Sequence, residues 1–266
     1  MNFTNSHFTP LNATIVFQPD FLFLLPGVCV GLPALCWAVR SQHLIQRGGG
    51  RVSTFIIFLI FSDAVEVLLT FLTAAAYFQI ITDRHQIPIA FTLVSVRVCG
   101  FYLHQLVALE GILSLSNPLC FSRLSSPLVS IPLSITLWIS AFTLDFPELA
   151  TVLHSVVCGL MCFVTVALWV LALKAPRSSE SSSHRDRKPA LRVLAVAQFT
   201  LLFIHGPSAL LFLAKTFDYY FKARKSVWQI IYFFTGLRLV ADPLLCVLVH
   251  KERLRGQAPD LNTTPH

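Results

Sequence analysis

The chain has 266 residues, of which 55% are hydrophobic and only 12% charged, with a mean hydropathy of +0.69 and a net charge of +7. A soluble domain carries about 25% charged residues, and a water-soluble core of this size would not need so much apolar sequence. The composition argues against a soluble all-helical domain and for a polytopic membrane protein.

In chain order the apolar runs are Phe21–Val39, Thr54–Phe78, Ile87–Ser114, Leu128–Phe146, Leu149–Leu173, Ala190–Ala214 and Ser226–Val249. Each is long enough to be a span of about 20 residues. A strand barrel would instead show alternating segments of about 10 residues. The expected fold is an all-α, seven-transmembrane helix bundle. Residues 1–20 form an extracellular tail, 21–250 the seven-span domain and 251–266 a short cytosolic tail.

Basic residues set the expected orientation. With the N-terminus outside, thirteen Lys and Arg residues fall on the inner side, among them Arg40, Arg47, Arg123, Arg177, Lys188 and Lys251. Five fall outside: Arg84, Lys215, Lys222, Arg224 and Lys225. Arg97 and Arg238 lie within spans. This bias accounts for the positive charge, so no nucleic-acid partner is expected. The bilayer is the first partner, and a multi-pass plasma-membrane location follows. Asn2 and Asn12 begin Asn-x-Thr glycosylation acceptors, usable only on an external tail. Asn262 begins a third that would face the cytosol and stay bare. No basic region precedes an early apolar stretch, so no cleaved signal peptide is expected. The cysteines, Cys158 and Cys162 included, fall nearly all inside spans and none in an outer loop. They read as small packing residues rather than disulfide or metal-ligand partners. No metal or other cofactor is expected, and no enzymatic constellation of nucleophile and base appears.

Span one carries Gly27 and Gly31, small residues four apart that let helices approach closely. A short flexible basic turn, Gln46 to Arg51, follows. Span two carries Asp63 and Glu66 three residues apart on one face. Charges at that depth are expensive and face an interior partner or cavity. Span three is the longest apolar stretch, and Arg97, Gly100, His104 and Gly111 share one helical stripe in it. Glu66 and Arg97 should meet at similar depth on facing helices. Arg97 then has two readings: the partner of Glu66, which is favoured because losing either one strands a buried charge, or a counter-ion for an acidic ligand. Phe101, His104 and His205 complete the candidate pocket, with neutral packed histidine the commoner state. Span six holds His205, Gly206 and Pro207, which predict a kink. Span seven holds Arg238, Asp242 and Pro243, and Arg238 and Asp242, four apart, share a face. The loop 175–187 is serine-rich and polar, and His250 to Arg255 form a short basic stretch suited to the inner leaflet. The basic third outer loop, from Lys215 to Lys225, can attract an anionic ligand or serve as a solvated rim.

The spacing of several residues resembles that of rhodopsin-like (class A) G-protein-coupled receptors over nearly the whole chain. They are Leu59 four residues before Asp63, Leu109-Glu110 followed by Asn117-Pro118, Trp138 in span four, Pro207 in span six and Asp242-Pro243 in span seven. The resemblance implies a receptor for an extracellular ligand that signals through a heterotrimeric G protein. It also implies that Asp63 would anchor a sodium ion. Here Arg238 falls near that site, and an Asp63–Arg238–Asp242 pairing is expected instead.

The departures are as specific. Leu35 replaces the span-one asparagine, and Gly111 and Ile112 replace the arginine and tyrosine that end span three. His205 replaces the span-six tryptophan, and Cys246 the tyrosine of span seven. Both halves of the family's outer disulfide are missing: its first cysteine falls near Gln86, and the partner loop is only Asp145 to Glu148. Without the span-three arginine, Glu110 can pair with Arg187 or Lys188 as a reversed lock between spans three and six. Coupling is therefore expected to be weakened or lost, with a non-signalling decoy or scaffold receptor as the variant. A small multi-span transporter is the rival from another class, although no inverted repeat appears.

Overall fold

The computed structural model describes residues 25–48, 52–77, 86–116, 118–143, nine positions between 156 and 170, 191–207 and 225–257. Apart from short turns these residues are helical, and no strand occurs among them. The helices are α1 (Leu25–Arg47), α2 (Thr54–Tyr77), α3 (Gln86–Ser116), α4 (Pro118–Leu124), α5 (Pro127–Thr143), α6 (Leu191–Ile204) and α7 (Lys225–Gln257). The glycosylation acceptors Asn2 and Asn12, the loop holding Arg187 and Lys188, and the side chain of His205 lie outside the described residues.

Among the described residues, three stretches are long and apolar enough to cross a membrane: Pro26–Arg47, Thr54–Ala75 and Phe91–Leu113. Their surfaces are inverted relative to a soluble protein. Val30, Trp37, Ile57, Phe61, Leu68 and Val94 are exposed, while Asp63, Glu66, His104 and Glu110 are fully buried. An apolar exterior around a polar interior suits lipid, where charges are stable only against one another. Hydroxyls follow the same logic. Thr70 and Thr73 donate to the carbonyls of Glu66 and Leu69, one turn back on α2, so neither is stranded.

α3 is the axis of the assembly. Its 31 residues span about 46 Å at 1.5 Å per residue, well beyond a hydrocarbon core of about 30 Å. It packs on α2, α5 and α7. The main core joins Phe55, Ile56 and Leu59 of α2 with Leu103 and Val107 of α3, Val193 and Ala197 of α6, and Leu245 and Val249 of α7. Trp138 of α5 packs on this core and lies 5.6 Å from the Phe61 ring. α1 lies against α7 through glycine. A Cβ on Gly27 would run into the backbone of Gly236, and one on Gly31 would lie 2.6 Å from Leu239 Cβ. The small-residue spacing in α1 is thus a site of close helix approach.

The structure differs from the sequence expectation at three boundaries. α1 runs on through Gln46 and Arg47, where a flexible turn was expected, and the turn comes at Gly48. Hydropathy ends at Arg40, but Ser41 to Ile45 contain nothing that stops a helix. α7 likewise continues through the basic stretch to Gln257, so that stretch is the last part of one 33-residue helix. α4 was not anticipated; Pro118 stands at its first position, where a missing N–H costs nothing.

Candidate functional site

Helices α2, α3 and α7 bring their charged side chains to one buried cluster. Arg238, fully buried on α7, is its centre. Its Nη2 lies 2.6 Å from Glu66 Oε2 and 3.2 Å from Asp63 Oδ1, both on α2. Its Nε lies 3.0 Å from Asp242 Oδ2, one turn along α7. Its Nη1 donates to the Arg97 carbonyl of α3 at 2.7 Å. The guanidinium thus ties three helices together with one planar group, which the five fixed donors of arginine allow.

Two of these contacts, to Glu66 Oε2 and Asp242 Oδ2, have ion-pair distances without good hydrogen-bond alignment. They still count, because Coulomb attraction follows separation and rises in a low-dielectric interior.

The remaining carboxylate oxygens extend the chain of contacts. Glu66 Oε1 accepts from Arg97 Nε at 2.8 Å, so Glu66 serves two arginines. Asp242 Oδ1 lies 2.5 Å from Nδ1 of His104, a fully buried α3 residue. The sequence runs Arg97, Glu66, Arg238, Asp242, His104, with Asp63 as a branch.

Room for the guanidinium comes from Gly100. A Cβ there would overlap Arg238, 2.6 Å from Cζ and 2.8 Å from Nη1. Gly100 lies three residues from Arg97 and four from His104, so one α3 stripe supplies two ligands of the cluster and the gap between them. Six cluster atoms stay without a hydrogen-bond partner: Glu66 Oε2, Arg238 Nε and Asp242 Oδ2, which have ion-pair contacts, and Asp63 Oδ2, Arg97 Nη2 and His104 Nε2. Among the described residues, no three His, Cys, Asp or Glu side chains are arranged to hold a metal ion.

Farther along α3 the character changes. Glu110 is buried and accepts a hydrogen bond from the hydroxyl of Ser53, just before α2. Its proposed partners Arg187 and Lys188 lie outside the described residues. Gly111 is a second close-approach point. A Cβ there would meet Val249 Cγ2 of α7 at 2.9 Å and Val193 Cγ1 of α6 at 3.1 Å. α3, α6 and α7 are therefore packed together at the level of Gly111, with no space for a side chain. Cys246, one turn before Val249, is buried in the same core.

Of the pocket candidates, Arg97 and His104 belong to the ionic cluster. Phe101 is buried against Leu201 of α6, with its ring 5.2 Å from that of Tyr102. α6 is wound as a π-helix over Thr200–His205, directly before Gly206 and Pro207. Proline offers no N–H and crowds the preceding turn, so the helix takes up an extra residue there. The π-helical stretch stands where the sequence predicts a kink. Pro243 is buried within continuous α7.

Sequence reasoning missed three contacts: Glu66 to Arg238, His104 to Asp242, and Ser53 to Glu110. The first had a signal, since Glu66 lies three residues from Asp63 on the α2 face that Arg238 was expected to meet. The other two carried none, because a single histidine or serine in an apolar run has no spacing that names its partner. The chain matches no protein-family model and no curated protein.

Proposed function

We propose that the chain is a receptor-like, seven-helix plasma-membrane protein of the rhodopsin-like type, in which ordinary G-protein coupling is weakened or lost. The observation that carries the reading is convergence. Asp63 of α2 and Asp242 of α7, which bear the resemblance and lie far apart in sequence, meet at one buried point. Arg238 joins them, at 3.2 Å from Asp63 and 3.0 Å from Asp242. The meeting of these two aspartates in one interior network is what supports the receptor-like reading.

Gly111 supports the second half of the reading. Where the family carries a coupling arginine, this chain has a glycine pressed against Val193 and Val249. A cleft opening between α3, α6 and α7 would have to break that packing, and would expose no guanidinium to a G protein. The ligand is extracellular. Arg97 Nη2, without an acceptor, suits an anionic group.

The test is a panel of G-protein dissociation assays in cells with verified surface expression. Wild type is compared with Gly111→Arg in a Val249→Ala background, which makes room for the new side chain. Silence in wild type with basal activity in the double variant is expected. Dissociation in wild type would show that the arginine is dispensable and would overturn the coupling claim. The buried charges also fit a transporter, since intramembrane ions mark transport paths. Substrate accumulation in vesicles, against saturable binding without accumulation, separates the two.

A further inference from the structure

Among the described residues, the side chains of the ionic cluster do not balance in charge. It holds two guanidinium groups, Arg97 and Arg238, and three carboxyls, Asp63, Glu66 and Asp242. With all three ionised, one uncompensated negative charge would lie inside a fully buried site, where desolvation strongly disfavours it. The carboxyls of Asp63 and Asp242 are also gathered by adjacent nitrogens of one guanidinium, Nη2 at 3.2 Å and Nε at 3.0 Å, and two carboxylates held so have no proton to share. Asp63 Oδ2 is buried with no donor. We propose that Asp63 and Asp242 share a single bound proton, which closes the cluster as a proton-linked latch between α2 and α7.

Charge count and orphan oxygen are separate observations, and one proton answers both. It brings the cluster to neutrality and gives Asp63 Oδ2 its missing hydrogen bond. A proton on His104 would balance the charge but strand a buried N–H, because Nε2 has no acceptor. Neutral His104, donating from Nδ1 to Asp242 Oδ1, leaves only an idle lone pair. A metal cation fits less well than a proton, since the Arg238 guanidinium already touches both aspartates. Among the described residues, Glu66 and the Cys246 thiol are the other titratable groups at the pair, with Cys99 beside Arg238, Arg97 beyond Glu66 and Glu110 beyond Cys246. When the proton leaves, two carboxylates of adjacent helices face each other, and α2 and α7 are driven apart. The inference holds whether or not the chain signals.

Infrared spectroscopy of the purified full chain in lipid tests it. Wild type at neutral pH should show the C=O stretch of a protonated carboxyl, shifted in heavy water and lost on raising the pH. Asp63→Asn should remove the band while keeping the fold, because the amide donates to Asp242 in place of the proton and still accepts from Arg238. The folded chain holds one proton more than the unfolded chain, so wild-type thermal stability should fall as pH rises. Asp63→Asn should lack that component. His104→Gln should keep the band. Absence of the band in wild type overturns the proposal, as does its survival in both Asp63→Asn and Asp242→Asn. So does a melting temperature that rises with sodium at fixed pH and loses the response in Asp63→Asn, the sign of a metal cation. If Asp63→Asn does not fold, the wild-type band and its loss in Asp242→Asn decide the matter.

Discussion

Gly100→Ala tests whether the ionic cluster holds the bundle together. The new Cβ would stand 2.6 Å from Arg238 Cζ, where carbon contacts are ordinary only beyond 3.4 Å. The guanidinium must retreat by about 1 Å, since close-packed carbons settle near 3.5–4.0 Å. It already holds Glu66, Asp242 and Asp63 at 2.6, 3.0 and 3.2 Å, and these contacts cannot all survive the move. Breaking a buried ion pair costs ~3–5 kcal/mol, and partial displacement belongs at the lower end, about 3 kcal/mol. For a domain of this size that lowers the melting temperature by roughly 6–12 °C. The assay is thermal unfolding in detergent micelles, followed by tryptophan fluorescence. Gly159→Ala is the control, because a Cβ there meets nothing within 4 Å among the described residues. In an Arg238→Lys background the cost of Gly100→Ala should shrink, since the smaller head group leaves room. An equal cost in both backgrounds, or none in wild type, refutes the reasoning.

Arg97→Ala should lower surface expression less than Arg238→Ala, measured by flow cytometry, because Glu66 keeps its Arg238 contact while the loss of Arg238 leaves both Asp63 and Asp242 without a guanidinium. Neutralising Glu66 should therefore rescue Arg97→Ala only in part. Ser53→Ala should cost about 1.5–3 kcal/mol, the value of a hydrogen bond to a charged group, through its contact with Glu110; thermal unfolding reads it. Gly27→Leu should separate α1 from α7 and prevent recovery of monodisperse protein on size exclusion, since even a Cβ meets the Gly236 backbone. Gly111→Ala should destabilise, with Val249→Ala restoring the melting temperature, because Val249 Cγ2 is the nearest atom to the new methyl.

The cluster was half legible in the sequence. Charged residues inside apolar runs announce themselves, and Asp63, Glu66, Arg97, Arg238 and Asp242 all stood out. Their spacing within a helix also showed which shared a face. Partnership between helices is a different matter, because it depends on rotation and depth that no single run contains. Glu66 was therefore assigned to Arg97 alone, although its second oxygen faces Arg238. His104 looked like a packing residue until α7 brought Asp242 to it. Helix ends were blurred for a simpler reason: apolarity marks where lipid stops, and α1 and α7 continue past that point into polar sequence.

Gly100 and Gly111 make opposite use of the same device on α3. Each removes a side chain where another helix must come close. At Gly100 the space admits a charge, and Arg238 enters to hold Asp63, Glu66 and Asp242 together. At Gly111 the space admits only Val249 and Val193, and the helices close on apolar contact. The two glycines are eleven residues apart, about three turns of helix, so α7 is fixed to α3 both electrostatically and by packing. Cys246 lies between Asp242 and Val249 in the same buried surface. A motion that opened α3 from α7 near Gly111 would have to bend α7 between these anchors, at buried Pro243, or pull Arg238 out of its pairs. Bending at the proline is the cheaper route, since the helix already lacks a hydrogen bond there. For an opening near Gly111 with the shared proton still bound, Pro243 is therefore the hinge, and the Arg238 pairs stay made through that motion.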